Sequence, residues 1–157
     1  MSKVYSLKTV QVLPISLNEA WDFFSNPANL ANITPTNIGF NIISEHHGEK
    51  MYAGQIIEYT VKPVLGVPLY WMTEITHVEN HKYFIDEQRF GPYSLWHHQH
   101  HFKEVDNGIE MTDIVHYKMP FWFLGDIANI LFVKDQLRKI FDFRYEKAEE
   151  LFGPVSM

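Results

Sequence analysis

Between Ile130 and Leu151 the apolar side chains fall three or four residues apart: Ile130, Val133, Leu137, Phe141, Ala148 and Leu151, with Arg144 inside the same stripe. That spacing predicts one long amphipathic helix, from about Phe121 to Phe152, with Pro120 in its first turn and Gly153-Pro154 ending it. Asp135, Lys139, Asp142, Glu146 and Glu149 form its wet face. A helix with one apolar stripe must bury that stripe against another layer. Nearly everything before it is strand.

Strand periodicity recurs from Val4 to Met119. A first strand spans Val4 to Leu13, and Pro14 ends it. Ser16 followed by Glu19 is a capping box for a helix Leu17 to Phe24, and a second short helix runs from Ala28 to Ile33. Strands are expected near Phe40 to Ile43, at Gln55 to Pro63, Leu69 to Val78 and Tyr83 to Phe90, through the histidine-rich Trp96 to Phe102, and at Ile109 to Met119. Polar loop residues His46 to Glu49 and the turn Val64 to Pro68 separate the earlier ones. Asp106-Asn107-Gly108 is a hairpin signal, with Asn-Gly supplying the positive φ angles of a type I′ turn. The odd positions of the last strand, including Val115 and Tyr117, read as the buried face, with Asp113 alone among them.

The expected architecture is α+β. A seven-stranded antiparallel curved sheet wraps the long C-terminal helix, and the two short helices after the first strand plug one end. The 157 residues read as a single domain, 1–157, with no repeat or linker. The net charge of −6 and the lack of a basic block argue against nucleic acid. There is no cysteine, no signal-peptide pattern, and no apolar run of the ~20 residues a membrane span needs. A cytoplasmic protein without stable membrane insertion is expected, and a homodimer is compatible with the chain.

Trp96-His97-His98-Gln99-His100-His101-Phe102 holds four histidines, which alternation divides between two faces. His97 and His101 fall on the wet face and read as ordinary surface residues, as do His77, His81 and His116. His98 and His100 face inward between Trp96 and Phe102, with Asp113 within reach across the hairpin. The inner polar set is Asp86, Gln88, His98, His100, Asp113, Tyr117 and Arg144. Tyr59, Trp71, Trp96, Phe102, Val115, Leu137 and Phe141 supply apolar walls. Phe121-Trp122-Phe123-Leu124 reads as core at the helix entry in preference to an exposed lip for membrane or partner contact.

The element order resembles the START-like helix-grip superfamily (SRPBCC), which includes plant pollen allergens, lipid-transfer domains and polyketide cyclases. Gly91-Pro92-Tyr93, Trp96-x-His98-x-His100-x-Phe102 and Asp113-x-Val115-x-Tyr117-x-x-Pro120 are similar to an uncharacterised bacterial branch of it, some of whose members are joined to sugar-nucleotide-epimerase-like domains. So is the helix segment Leu131 to Val133 with Gln136-Leu137, Ile140-Phe141 and Arg144. The resemblance implies a cavity between sheet and last helix that binds a small hydrophobic or amphipathic molecule: a lipid, a polyketide or an aromatic compound.

Four chemistries fit the inner polar set. It could be a buried hydrogen-bond network that fixes the fold, in a structural or interaction domain. It could orient a ligand, with Arg144 meeting a carboxylate. His98 or His100 paired with Asp113 could do acid–base catalysis of cyclase or isomerase type. His98, His100 and Asp113 also make a two-histidine, one-carboxylate set suited to iron or zinc. The superfamily context weighs against a metal, and no cofactor is expected. Ligand binding is the expected function.

Overall fold

The computed structural model describes residues 3–45, 50–62 and 66–156. The loop expected at 46–49, the end of the third strand at Pro63 and the start of the turn at 64–65 lie outside them. The strands are β1 (Tyr5–Leu13), β2 (Asn41–Ile42), β3 (Ile56–Val61), β4 (Leu69–Glu79), β5 (Tyr83–Phe90), β6 (Leu95–Val105) and β7 (Gly108–Lys118). They form one antiparallel sheet in the order β1-β7-β6-β5-β4-β3-β2. Strands β2 to β7 are neighbours in sequence order, and β1 returns to pair with β7. Two register shifts between β4 and β5, at Met72/Thr73 and Ile75/His77, interrupt the ladder where the sheet bends.

After β1 comes helix α1 (Leu17–Phe24). Its capping box forms as expected: Ser16 Oγ accepts from the Glu19 N–H at 3.2 Å, and Glu19 Oε2 accepts from the Ser16 N–H at 3.0 Å. The second short helix is a 3₁₀ segment, Pro27–Ile33, capped by Asn26, and a further 3₁₀ turn spans Thr36–Ile38. Strand β2 is only two residues long, because the chain before it is taken up by that turn. Trp21 and Phe24 of α1 pack with Leu13, Phe84, Phe102 and Ala148 in the largest apolar cluster.

Two expectations about local geometry are corrected. The β6–β7 loop is Asp106-Asn107, but neither residue has positive φ, so the turn is not type I′. The positive φ falls on Gly108 alone, at 143°. There a Cβ would stand 2.0 Å from the Leu13 carbonyl oxygen, so the end of β1 closes over a position that only glycine fits.

The helix entry also differs. Pro120 precedes the helical residues, and Phe121 and Trp122 turn the chain with φ of 62° and 51°. The helical stretch has three parts: α2 (Trp122–Ala128), a π-helical turn (Asn129–Val133) and α3 (Lys134–Phe152). The extra residue of a π turn rotates the faces on either side of it. Asn129 is therefore buried, while Ile130 is 72% exposed and leaves the apolar stripe. The stripe runs through Leu137, Phe141 and Ala148, all buried, and Leu151 at its far end is exposed. Phe121, Trp122 and Leu124 are exposed as well, so the expected core at the helix entry is an apolar lip instead. Gly125 lies against the Pro120 carbonyl oxygen, where a Cβ would stand only 2.0 Å away, so the helix entry packs closely at a position that only glycine fits.

Candidate functional site: a charged floor in an apolar cavity

Between the sheet and α3 lies a cavity of about 280 Å³. This is near the lower edge of the roughly 300–1,000 Å³ usual for small-molecule sites. Its walls are mostly apolar, from Ile57, Trp71, Ile75, Trp96, Leu137 and Phe141 among others. Its polar members are few: Tyr59, Thr73, Asp86, His98, His100 and Arg144 among them.

Strand pairing builds the floor. Asp86 on β5 stands opposite His98 on β6, and His100 on β6 stands opposite Asp113 on β7. Alternation turns all four to one face. His98 Nε2 donates to Asp113 Oδ1 at 3.0 Å, and His100 Nε2 donates to Asp86 Oδ2 at 2.7 Å. His100 Nδ1 lies 2.9 Å from Asp113 Oδ1, and His98 Nδ1 lies 3.5 Å from Asp86 Oδ2. The two imidazoles lie side by side with centroids 3.7 Å apart, their planes tilted by 37°. Arg144 reaches down from α3, its Nη2 3.8 Å from Asp113 Oδ1.

Burial penalises every charge in this cluster, so the partners decide which charges survive. For Asp113 the Arg144 guanidinium and both imidazoles outweigh burial and hold the carboxyl well below its ordinary 3.8. Asp86 is lowered too, burial being outweighed by His98 and His100. His100 lies between the two carboxylates, and their hydrogen bonds and charge overcome burial and raise it above 6.5. His98 is pushed below 6.5 by burial and by its charged neighbour His100. The floor thus sets two carboxylates against one guanidinium and two imidazoles, of which His100 holds a proton more readily than His98.

The cavity wall carries a second, smaller polar patch. Trp71 Nε1 donates to Thr73 Oγ1 at 3.0 Å, and the Tyr59 hydroxyl lies 3.1 Å from the same oxygen. Burial raises the Tyr59 and Tyr93 pKa values, so both phenols stay neutral. Thr73 was not among the expected site residues. The signal for it was present, since it alternates with Trp71 and Ile75 on one face of β4.

Of the expected site residues, Tyr59, Trp71, Asp86, Trp96, His98 and His100 line the cavity, as do Leu137, Phe141 and Arg144. Four do not. Gln88 is spent on the β5–β6 turn, where its amide donates to the Tyr93 carbonyl at 2.6 Å and its oxygen accepts from the Tyr93 N–H at 3.1 Å. Phe102 belongs to the cluster under α1, edge-on to Trp21. Tyr117 points its hydroxyl at Asn129 Oδ1, 2.8 Å away in the π turn. Asp113 lies behind the histidines and acts on the cavity through them.

A metal would find a different donor set from the expected one. Asp86, His98 and His100 place ligand atoms within 4.8 Å of one another, while Asp113 takes the opposite nitrogens. On the outer face, His97 and His101 are half-buried members of a polar ladder. Glu87 accepts from His97 at 2.6 Å, Gln99 donates to His97, and His101 donates to Gln99.

No protein-family model matches the chain, and no curated protein matches it. Solved structures do. A protein from Chromobacterium violaceum superposes with a TM-score of 0.72 at 11% identity, over 96% of this chain and 99% of that one. Ginseng major latex-like protein 151 from Panax ginseng gives 0.69 at 14% identity, over 96% and 99%. The fold is the helix-grip fold. A nucleoside-diphosphate sugar epimerase from Corynebacterium glutamicum matches at 20% identity with a TM-score of 0.64; the match covers 92% of this chain and 28% of that one.

Proposed function

We propose that the chain, acting as one domain over residues 1–157, binds a small hydrophobic or amphipathic molecule in the cavity between sheet and α3. The observation that carries this reading is the cavity itself: about 280 Å³, walled by aromatic and aliphatic side chains, with its charge confined to one end. An amphipathic ligand fits that division, its apolar body along Trp71, Ile75 and Leu137 and a polar group toward His98, His100 and Arg144. The cytoplasm is the compartment this reading assigns, supported by an acidic chain without cysteine.

Titration with an apolar fluorescent probe such as anilinonaphthalene sulfonate tests it. Saturable one-to-one binding is expected for the native chain. Ile140→Trp, which fills the cavity from α3, is expected to weaken binding at least about tenfold without lowering the melting temperature. A native chain that shows no saturable binding, and carries no small molecule in native mass spectrometry, would overturn the reading.

One observation favours a second reading, proton-transfer catalysis of cyclase or isomerase type. Paired titratable groups whose environments push their pKa values apart divide into base and acid. His98 is pushed down and His100 up on one floor, and both face the cavity. In this reading His98, held by Asp113 through Nε2, accepts a proton at Nδ1 from a carbon beside a carbonyl, and Arg144 meets the negative charge that develops on the carbonyl oxygen. His98→Gln would then abolish turnover and leave probe binding intact.

A further inference from the structure

Phe121 is 82% exposed, Ile130 72%, Phe132 68% and Trp122 63%, and Leu124, Ile127 and Leu131 are exposed beside them. Gly125 and Asn129 are buried in the same segment, and the seven exposed side chains just named lie away from them. A water-facing surface rarely carries so many large apolar groups together without a partner. The neighbouring charge is basic on a chain of net charge −6. A second cavity of about 260 Å³, beside the lip, is lined by Lys3, Lys134 and Arg138 with Tyr5 and Tyr117. Of the nearby carboxylates, Asp135 is matched by a lysine, and Asp126, set against three basic side chains, accepts from neutral donors. Asp126 accepts from the Tyr5 hydroxyl at 3.2 Å and the Lys3 backbone N–H at 3.3 Å, and Asp135 pairs with Lys139 at 2.7 Å. Lys134 and Arg138 have no carboxylate partner among the described residues, and Lys3 Nζ lies 5.4 Å from the Tyr5 ring centroid.

We propose that this lip docks the protein on an anionic bilayer surface. Phe121, Trp122, Ile130 and Phe132 enter the boundary between headgroups and acyl chains. Lys3, Lys134 and Arg138 meet lipid phosphates in the basic hollow beside them. Aromatic side chains favour that boundary, and basic residues flanking an apolar face are the usual composition of a segment that lies on a membrane. No helix among the described residues is long and apolar enough to cross one, so the contact is superficial. A second copy of the chain is a poorer occupant. In a two-fold contact the same patch meets itself, which would bring Lys134 and Arg138 toward their own equivalents. The contact does not depend on what the large cavity holds. The ends of the lip nevertheless reach that cavity, since Met119 just before it and Val133 just after it line its wall.

Flotation of the full chain with vesicles tests the proposal, using phosphatidylcholine alone and phosphatidylcholine mixed with phosphatidylglycerol. The chain is expected to float with the anionic vesicles, to stay behind with the neutral ones, and to be released by raised salt. Trp122→Ser combined with Phe132→Ser, both at exposed positions, is expected to abolish flotation with the circular dichroism spectrum unchanged. Lys134→Glu with Arg138→Glu is expected to reduce bound protein about tenfold or more. A chain that ignores anionic vesicles at low salt overturns the proposal. If that chain also sediments as a dimer which the Trp122 and Phe132 changes dissociate, the face belongs to a second copy. Binding that the lip substitutions leave intact overturns it equally.

Discussion

Asp113 is the residue on which the cavity floor depends. Both imidazoles and Arg144 converge on its Oδ1, and among the described residues no other carboxylate on the sheet pairs with Arg144. Asp113→Asn keeps the shape and removes the charge, which leaves a buried guanidinium without its counter-ion. We expect a loss of about 3–5 kcal/mol in urea unfolding. Arg144→Met added to Asp113→Asn should cost much less than Arg144→Met in the native chain, because the two positions share one interaction. The two histidines predict a stability maximum. His98, lowered in the folded state, makes stability rise with pH up to about 6.5, the unfolded value. His100, raised in the folded state, contributes stability that is fully present below about 6.5 and lost as pH climbs through its folded value. Asp86 and Asp113, both lowered, contribute stability that is lost below about 4 as pH falls through their folded values. A melting temperature that keeps rising from about pH 6.5 to about 8.5 would contradict this assignment. Alternation alone split the four histidines correctly between the two faces, because side-chain direction in a strand is fixed by parity. Parity says nothing about which carboxylate bonds which nitrogen. Register decides that, and register depends on turns that the sequence marks only loosely.

The β6–β7 turn and the helix entry show where that looseness lies. Asn-Gly suggests a type I′ hairpin, yet Asn107 keeps negative φ, and Gly108 is required by the approach of β1 as well as by its own backbone angle. Gly108→Ala is therefore expected to cost more than about 1 kcal/mol, against an alanine's usual small gain at a loop glycine. Differential scanning calorimetry would show it as a lowered melting temperature. The helix was legible over most of α3, where Leu137, Phe141 and Ala148 repeat at helical spacing and are buried. Between Phe121 and Ile130 the helix was anticipated but its buried face was misread at Phe121, Trp122, Leu124 and Ile130 (the Phe123 side chain lies outside the described residues). Periodicity cannot reveal an inserted π turn, and an apolar run looks the same whether it faces a core or a partner. The Ser16/Glu19 box was read correctly because its meaning is local, two reciprocal bonds within four residues.

At the scale of the molecule, the order of strands and the length of the last helix were enough to anticipate a sheet wrapped on a helix. The volume left between them was not, because it depends on how far α1 and the 3₁₀ segments fill one end. Trp21 packs against Phe84 and Phe102 under α1, while Phe24, Phe84 and the 3₁₀ residues Leu30 and Ile33 line the cavity together with Trp71, Trp96 and Phe141. The sheet order carries a further consequence for time. Strands β3 to β7 are joined by successive hairpins and can pair while the chain between them is short. Strand β1 cannot, since Tyr5 must find Tyr117 across almost the whole sequence. Long-range closures of this kind carry a large entropic cost and come late. The buried end of β1 at Leu13 should then form after the main barrier: Leu13→Ala is expected to speed unfolding in stopped-flow experiments and leave the refolding rate nearly unchanged. The carboxylate–histidine floor on β5, β6 and β7 would be assembled before the N-terminal strand closes the sheet's far edge.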